Sequence, residues 1–301
     1  MTKMFNRSAQ VSFAGVSIQP ITDLRIAFEV DKTDGMQFNH GMIEIYNLNQ
    51  EARAKLAKPI HPDLPLVDPN IKVFLKAGYK DEEIQLIAGE LMAGTNIKDG
   101  PDWITTLDVW SGIDAATKGK TNISFSEPTP VKTVVDSMLS VLNIQIRYTA
   151  VAEQILNTKR ITTFSVGGLA FRETALFLRQ YGLDFTIDED GQGLVYVDDR
   201  PRNPNAGKNR DNTFSPQTGL IGSPSITRNG VEIRSLLRPR IRLLERIFVE
   251  SESITGTLRG DIPADYFVTS LTHTGDTRGE DWTTSIVAHY STISEGNYGD
   301  A

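Results

Sequence analysis

The sequence predicts a mainly β protein with an α+β insert, in which two similar antiparallel β-barrel or sandwich domains flank a small α+β middle domain. Three observations carry this. First, one strand is written twice, as Asp102-Trp103-Ile104-Thr105-Thr106-Leu107-Asp108-Val109-Trp110 and as Asp281-Trp282-Thr283-Thr284-Ser285-Ile286-Val287-Ala288-His289-Tyr290. Each has period-2 alternation, which places Trp103, Thr105, Leu107 and Val109 on one face and Trp282, Thr284, Ile286 and Ala288 on the matching face. Second, a charged, glycine-bearing turn precedes both copies: Lys98-Asp99-Gly100-Pro101 and Thr277-Arg278-Gly279-Glu280. Third, the periodicity between the copies switches to that of amphipathic helices. The expected organisation is a first tube-like barrel over 1–117, the α+β domain over 118–200, a linker over 201–218 and a second barrel over 219–301.

The N-terminal part alternates through Val11, Phe13 and Val16, and again through Leu24, Ile26, Phe28 and Val30. Asp34-Gly35 punctuates the pattern, and Met42–Leu48 reads as a further strand. Asn49 reads as the cap of a short helix reaching Leu56. A proline-rich loop from His61 to Pro69 leads back to strands at Ile71–Leu75, Ile84–Ile87 and Glu90–Ile97. In the middle segment, Thr129 is expected to cap a helix whose first residue is Pro130, with Val131, Val134, Val135, Met138, Leu139 and Leu142 on one apolar face. A strand is expected at Ile144–Tyr148, and a second helix from about Leu169 to Tyr181, stopped by Gly182. Phe185–Ile187 and Leu194–Val197 flank Asp188-Glu189-Asp190-Gly191-Gln192-Gly193, a hairpin by its turn chemistry. Residues 201–218 are rich in Pro, Gly and Asn and read as a linker or surface loop. Asn229-Gly230 marks a hairpin before Val231–Leu237.

The second copy extends upstream. Gly41–Leu48 resembles Gly230–Leu237, the two Gly residues being 189 positions apart and the two Trp residues 179 apart. Loop trimming between duplicated domains accounts for the difference, and the helix and proline loop of the first copy are the natural missing part.

Composition excludes several classes of function. The chain has 301 residues, 39% apolar and 23% charged, so it can bury real cores. It has no cysteine, which removes disulfide staples, thiolate nucleophiles and Cys-type zinc sites. A net charge of -7 disfavours gripping a nucleic-acid backbone. No apolar run reaches bilayer-spanning length and no signal-peptide core follows the N-terminus, so membrane insertion is not expected.

No catalytic, cofactor or metal site stands out. His40, His61, His273 and His289 lack ligand spacing and read as surface or edge-strand residues. The Asp188-Glu189-Asp190-Gly191 loop lacks the further carboxylates of a calcium loop and reads as a solvated hairpin. Gly191-Gln192-Gly193 has neither a third glycine nor a following helix, and Gly167-Gly168 is explained by close strand-to-helix packing. The one basic cluster is Arg228, Arg234, Arg238, Arg240, Arg242 and Arg246. Its bland reading is a solvated strand face. Its sharper reading makes Arg234, Arg238, Arg240, Arg242 and Arg246 an interface with an acidic neighbouring subunit, because Arg pairs bidentately with carboxylates.

Taken in order, Gly41-x-Ile43-x-Ile45-Tyr46-Asn47-Leu48, Lys76-Ala77-Gly78-Tyr79, Gly89-Glu90 and Gly100-x-Asp102-Trp103-x-Thr105 resemble the first tube-forming domain of baseplate hub proteins of tailed bacteriophages. Gly219–Pro224, Gly230-Val231, Leu236-Leu237-Arg238-Pro239 and His273-x-Gly275-Asp276-x-Arg278-Gly279-x-Asp281-Trp282-x-Thr284 resemble the second. The sequence departs from the pattern at Arg240–Arg246, where such hubs more often have a Gly-containing turn.

The resemblance implies a structural hub similar to that of T-even phages, with no cofactor and no enzymatic activity. It implies a homotrimer whose paired domains form a ring of pseudo-sixfold symmetry, mating a sixfold tail tube to a threefold spike. The implied partners are the tail tube protein, the spike protein, other baseplate (wedge) proteins and the tape measure protein. DNA would pass through without specific binding. The implied location is the virion baseplate, after assembly in the host cytoplasm. Two alternatives stand beside it: the hub of a contractile, phage-derived secretion or injection machine, and a tail-associated cell-wall hydrolase acting through the middle segment.

Overall fold

Period-2 alternation in the N-terminal part produces six strands in the computed structural model, which describes residues 6–35, 37–57, 71–80, 82–198, 200–255 and 265–290. They are β1 (Arg7–Ala14), β2 (Ile26–Thr33), β3 (His40–Tyr46), β4 (Lys72–Tyr79), β5 (Glu82–Asp99) and β6 (Asp102–Trp110), with helix α1 (Gln50–Leu56) after β3. Asn49 caps α1, its side chain accepting the Ala52 N–H at 2.8 Å. The two strands expected over 84–97 are one long strand, β5, bent by a bulge between Leu91 and Ala93. The proline-rich loop His61–Pro69 lies outside the described residues.

The middle segment contributes α2 (Ile113–Lys118), β7 (Lys120–Phe125), β8 (Thr129–Pro130), α3 (Val131–Leu139), β9 (Ile146–Tyr148), α4 (Ala150–Thr158), β10 (Arg160–Ile161), β11 (Phe164–Leu169), α5 (Ala170–Arg179), β12 (Leu183–Ile187) and β13 (Gly193–Val197). Here the expectation for Thr129 is corrected. Pro130, not Thr129, holds the N-cap position of α3, and the Thr129 hydroxyl donates to the Glu127 carbonyl at 2.9 Å. Thr129 and Pro130 instead pair with β10, which pulls the helix start forward by one residue.

The C-terminal part gives β14 (Thr213–Phe214), β15 (Leu220–Ile226), β16 (Gly230–Leu236), β17 (Arg246–Val249), α6 (Glu252–Thr255), β18 (Asp265–Asp276) and β19 (Trp282–Tyr290). Residues 201–218, read as a linker, thus carry β14, which pairs in parallel with β17 and buries Phe214.

One large sheet runs β1-β4-β5-β6-β3-β2-β18-β19-β16-β15, with β17 beside β18. Within it the same arrangement occurs twice. Strands β2-β3-β6-β5-β4 match β15-β16-β19-β18-β17 in order and direction of pairing. The registers match residue for residue in the central strands. Gly41, Ile43 and Ile45 face Val109, Leu107 and Thr105. Val231, Ile233 and Ser235 face Ala288, Ile286 and Thr284. The bulge recurs as well, between Leu91 and Ala93 in the first copy and between Val268 and Ser270 in the second.

This register moves the sequence alignment by one residue: Gly41 corresponds to Val231, not to Gly230. The two glycines have different jobs. Gly41 is buried on the core face, where an added Cβ would meet the Ile87 side chain at 3.2 Å. Gly230 ends the hairpin turn, where a Cβ would lie 1.9 Å from the Ala288 carbonyl oxygen. A shared Gly drew the alignment, whereas strand register follows the buried face.

Three apolar cores result, and they exchange residues. The first, built on β1–β6, includes Trp282 from β19 and Leu237. The second is formed by α2–α5 and the short strands around them. The third, beneath β16–β19, takes in Leu194 and Tyr196 from β13.

Candidate assembly surfaces

The duplicated strands give the main sheet a core face and an outer face that continue from one copy into the other. The outer face carries Glu29, Asp31, Glu44, Asp108 and Glu232, against His40 and Arg234. Several of these carboxylates are fixed by neighbours. Asp31 accepts from Thr272 Oγ1 at 2.6 Å, Glu44 accepts from Tyr46 OH at 3.1 Å, and Asp108 accepts from Trp110 Nε1 at 2.7 Å. Glu29 and Glu232 are exposed. The face therefore combines these carboxylates with the exposed Lys72 and with exposed apolar side chains, Met42 and Val287.

The copies are joined by pairing of β2 with β18, from Ser270 opposite Thr33 to Asp276 opposite Ala27. The joint is reinforced at one end. Arg25 pairs with Asp276 at 2.6 Å, and the hydrogen bond to Asp276 raises the Arg25 pKa. Arg278 donates to the Asp23 carbonyl at 3.0 Å, and Arg7 donates to the Gly279 carbonyl at 2.6 Å. Trp282 fills the space beneath, edge-on to Phe28 at 5.6 Å between ring centroids.

The hairpin Asp188–Gly193 enters the junction from the middle segment, and here the expectation of a solvated loop is overturned. Asp188 and Glu189 are buried, Glu189 being 3% exposed. Glu189 lies 3.8 Å from Lys32 Nζ on β2, itself 1% exposed, and 2.7 Å from Arg242 Nε. Gln85 of β5 donates to the Glu189 carbonyl and to Asp190 at 3.2 and 3.1 Å. Arg147 pairs with Asp188, whose other oxygen accepts the Asp190 and Gln192 N–H groups. Burial alone would raise the Glu189 carboxyl, but Lys32 and Arg242 more than offset it and hold it below its ordinary value. The same burial lowers the Lys32 pKa.

His273 is also corrected. It lies fully buried in β18, not at a surface or edge. Its Nδ1 shares a hydrogen bond with Thr284 Oγ1 at 2.9 Å, and burial, with nearby Lys32, keeps the ring neutral.

Of the five arginines read as an interface, Arg238 and Arg240 line one groove, whereas Arg234, Arg242 and Arg246 are placed apart from it. Arg234 is on the outer face of β16, 3.8 Å from Asp281. Arg238, stacked over Phe214 at 5.3 Å, donates to the Arg210 carbonyl at 2.7 Å and to the Thr218 carbonyl. Arg242 belongs to the buried junction, and Arg246 donates to the Pro204 carbonyl at 2.6 Å. Arg240 is exposed on the connection between β16 and β17. The run Arg240–Arg246 is thus mostly turn. Only Arg246 of it starts a strand. Sequence reasoning missed Lys32, Glu189 and Gln85. A lysine on the apolar-facing side of β2 was the one available signal, because charge on a core-facing position demands a partner.

Among the described residues no three His, Asp or Glu side chains come together as a metal site, and no helix is long and apolar enough to cross a membrane.

The fold is shared with phage tail proteins. The 43 kDa tail protein of prophage MuSo2 from Shewanella oneidensis matches with a TM-score of 0.62 at 9% identity, covering 95% of this chain and 97% of that one. A tail protein from Neisseria meningitidis MC58 matches with a TM-score of 0.62 at 8% identity, with the same coverage. The E. coli c3393 protein is a type VI secretion component described as similar to T4 tail proteins gp27 and gp5. It matches with a TM-score of 0.55 at 11% identity over 94% of this chain and 77% of that one. No curated protein matches by sequence. The architecture is therefore the fold of these tail and secretion-system proteins. The model of the family "Baseplate hub gp41" matches residues 11–287, so the chain belongs to the baseplate hub gp41 family.

Proposed function

We propose that three copies of this chain close into a ring at the tail baseplate, seating the sixfold tail tube on one rim and the threefold spike on the other. The observation that carries this is the β2–β18 joint. It links two like units by unlike edges, a head-to-tail contact of the kind that generates rings when the rotation closes. Two such units per chain make three chains present six near-repeats to the tube while keeping true threefold symmetry for the spike. Light scattering on the purified protein is expected to give three times the chain mass, with ring-shaped particles in negative stain. A monomer at all concentrations overturns the reading.

The outer face of the sheet lines the channel in this reading, and DNA slides over it without adhering because like charges repel. Arg234, on the same face, lies 3.8 Å from the Asp281 carboxylate. Replacing Glu29 and Glu232 with Lys in the phage is expected to slow DNA ejection several-fold, checked by dye release from purified virions. Unchanged ejection kinetics count against the channel assignment. Of the basic cluster, Arg240 is the residue we carry forward as a rim contact to an acidic partner.

A further inference from the structure

We infer that the groove holding Arg238 and Arg240 docks an acidic peptide segment of a neighbouring baseplate protein, one segment per chain. This deepens the ring reading and rests on it, since a ring of three chains then takes up three such segments. The groove has a volume of about 410 Å³ and lies where the two copies meet, between the turn after β16 and the end of β4. Tyr79 of β4 crosses this seam, its hydroxyl donating to the Leu237 carbonyl at 3.3 Å. A volume of this size takes a ligand of small-molecule dimensions, hence a few side chains of a passing segment rather than a folded domain.

The lining selects the chemistry of the occupant. Tyr79, Leu237 and Ile241 supply apolar surface, and Arg210, Arg238 and Arg240 supply charge. The carboxylates of the lining are Glu82 and Asp211, so cations are in excess here on a chain whose net charge is -7. Arg238 is fixed over Phe214 and gives its N–H groups to the Arg210 and Thr218 carbonyls, with Asp211 as a nearby counter-charge. Neither Arg210 nor Arg240 forms an ion pair among the described residues. An arginine fork matches a carboxylate bidentately, and the apolar surface rewards an apolar side chain beside it. A nucleic-acid backbone fits less well, because Glu82 and Asp211 repel phosphates and the apolar surface gains nothing from them.

The duplication sets the count. The first copy has a groove at the matching place, between residues 17–24 ahead of β2 and residues 47–55 after β3. The second lies between residues 210–211 ahead of β15 and residues 236–241 after β16. The shared register sets Leu48 against Arg238 and Asn49 against Pro239. In the first copy this turn runs into α1, which buries Ala52 and Leu56, and the cation there, Lys55, is already paired with Glu51 at 2.6 Å. In the second copy no helix precedes β17, and the arginines stand in its place. The two grooves are thus alike in position and unlike in charge. A carboxylate-bearing partner recognises the second alone, and so follows the threefold rather than the sixfold repeat.

The test pans a random short-peptide library on the purified full chain and measures the recovered peptide by calorimetry. Recovered peptides are expected to combine Asp or Glu with a large apolar residue and to bind once per chain. Arg210→Glu with Arg240→Glu is expected to weaken binding at least about tenfold, whereas Arg234→Glu, a reversal outside the groove, leaves it unchanged. No recovered peptide, peptides without acidic residues, two sites per chain, or equal affinity in parent and double variant overturns the groove. So does an equal loss in Arg234→Glu, which marks a general charge effect, or displacement of the peptide by a single-stranded oligonucleotide, which marks a phosphate site. Light scattering on the same samples separates this from the ring. A trimeric mass with any of those results overturns the groove and leaves the ring standing. A monomeric mass overturns the ring, while one peptide per chain still supports the groove.

Discussion

Trp282→Ala is expected to destabilise the fold by about 3–5 kcal/mol, because the ring is fully buried and its loss leaves a cavity the surrounding strands cannot collapse into. The site is constrained on every side. Phe28 stands edge-on to the indole, and Gly275 lets both rings approach, since a Cβ there would lie 2.3 Å from Phe28 and 2.9 Å from Trp282. Trp282 belongs to the second copy but fills the core of the first, so its removal weakens the joint between them as well as the packing. The same substitution at Trp103 is expected to cost the single chain at least about 2 kcal/mol less, because that ring is half exposed and held by Arg53, stacked 4.0 Å away. Urea denaturation of the two variants checks the difference. Equal losses would mean that the two tryptophans occupy equally packed sites.

Glu189→Ala is expected to cost about 3–5 kcal/mol, since it strands the buried Lys32 ammonium without a counter-charge. Replacing both members with apolar residues, Lys32→Met with Glu189→Leu, is expected to recover most of the loss, because the penalty lies in the unpaired charge. The pH dependence has a definite sign. The folded state holds the Glu189 carboxyl below its ordinary value, so it binds fewer protons there than the unfolded chain does. Its contribution is complete above the unfolded value of about 4.3 and is lost as pH falls through the lower folded value. The stability gap between the parent and Glu189→Gln should therefore be full at neutral pH and close in acid, as followed by thermal melts across a pH series. A gap that widened on acidification would assign the effect to shape rather than charge.

Both predictions concern residues whose environment is non-local, and this divides what was legible from what was not. Alternation announced β2, β3, β6, β16 and β19 because each has one face in a core and one outside, and burial then writes itself into every second residue. The Asn49 cap and the Asn229-Gly230 turn were legible because their chemistry is satisfied within a few residues of chain. The acidic hairpin was misread for the converse reason. Asp188, Glu189 and Asp190 beside glycine look solvated because ionised groups are costly to bury, and their compensating partners, Lys32, Arg147 and Arg242, come from three distant parts of the chain. His273 hides in the same way, as a polar residue in a strand whose far side is covered only after β2 arrives.

By itself the sequence determined that a β unit occurs twice around an α+β insert, and it supported a reading as a phage hub. Those facts lie in periodicities and short patterns that each segment carries alone. Only the tertiary structure decided the one-residue offset between the copies, the recurrence of the bulge and the fusion of both units through β2 and β18. It also decided which edges remain open. Which strands pair is set by backbone hydrogen bonds between segments far apart in the chain, and these bonds leave no signature in the local order of side chains.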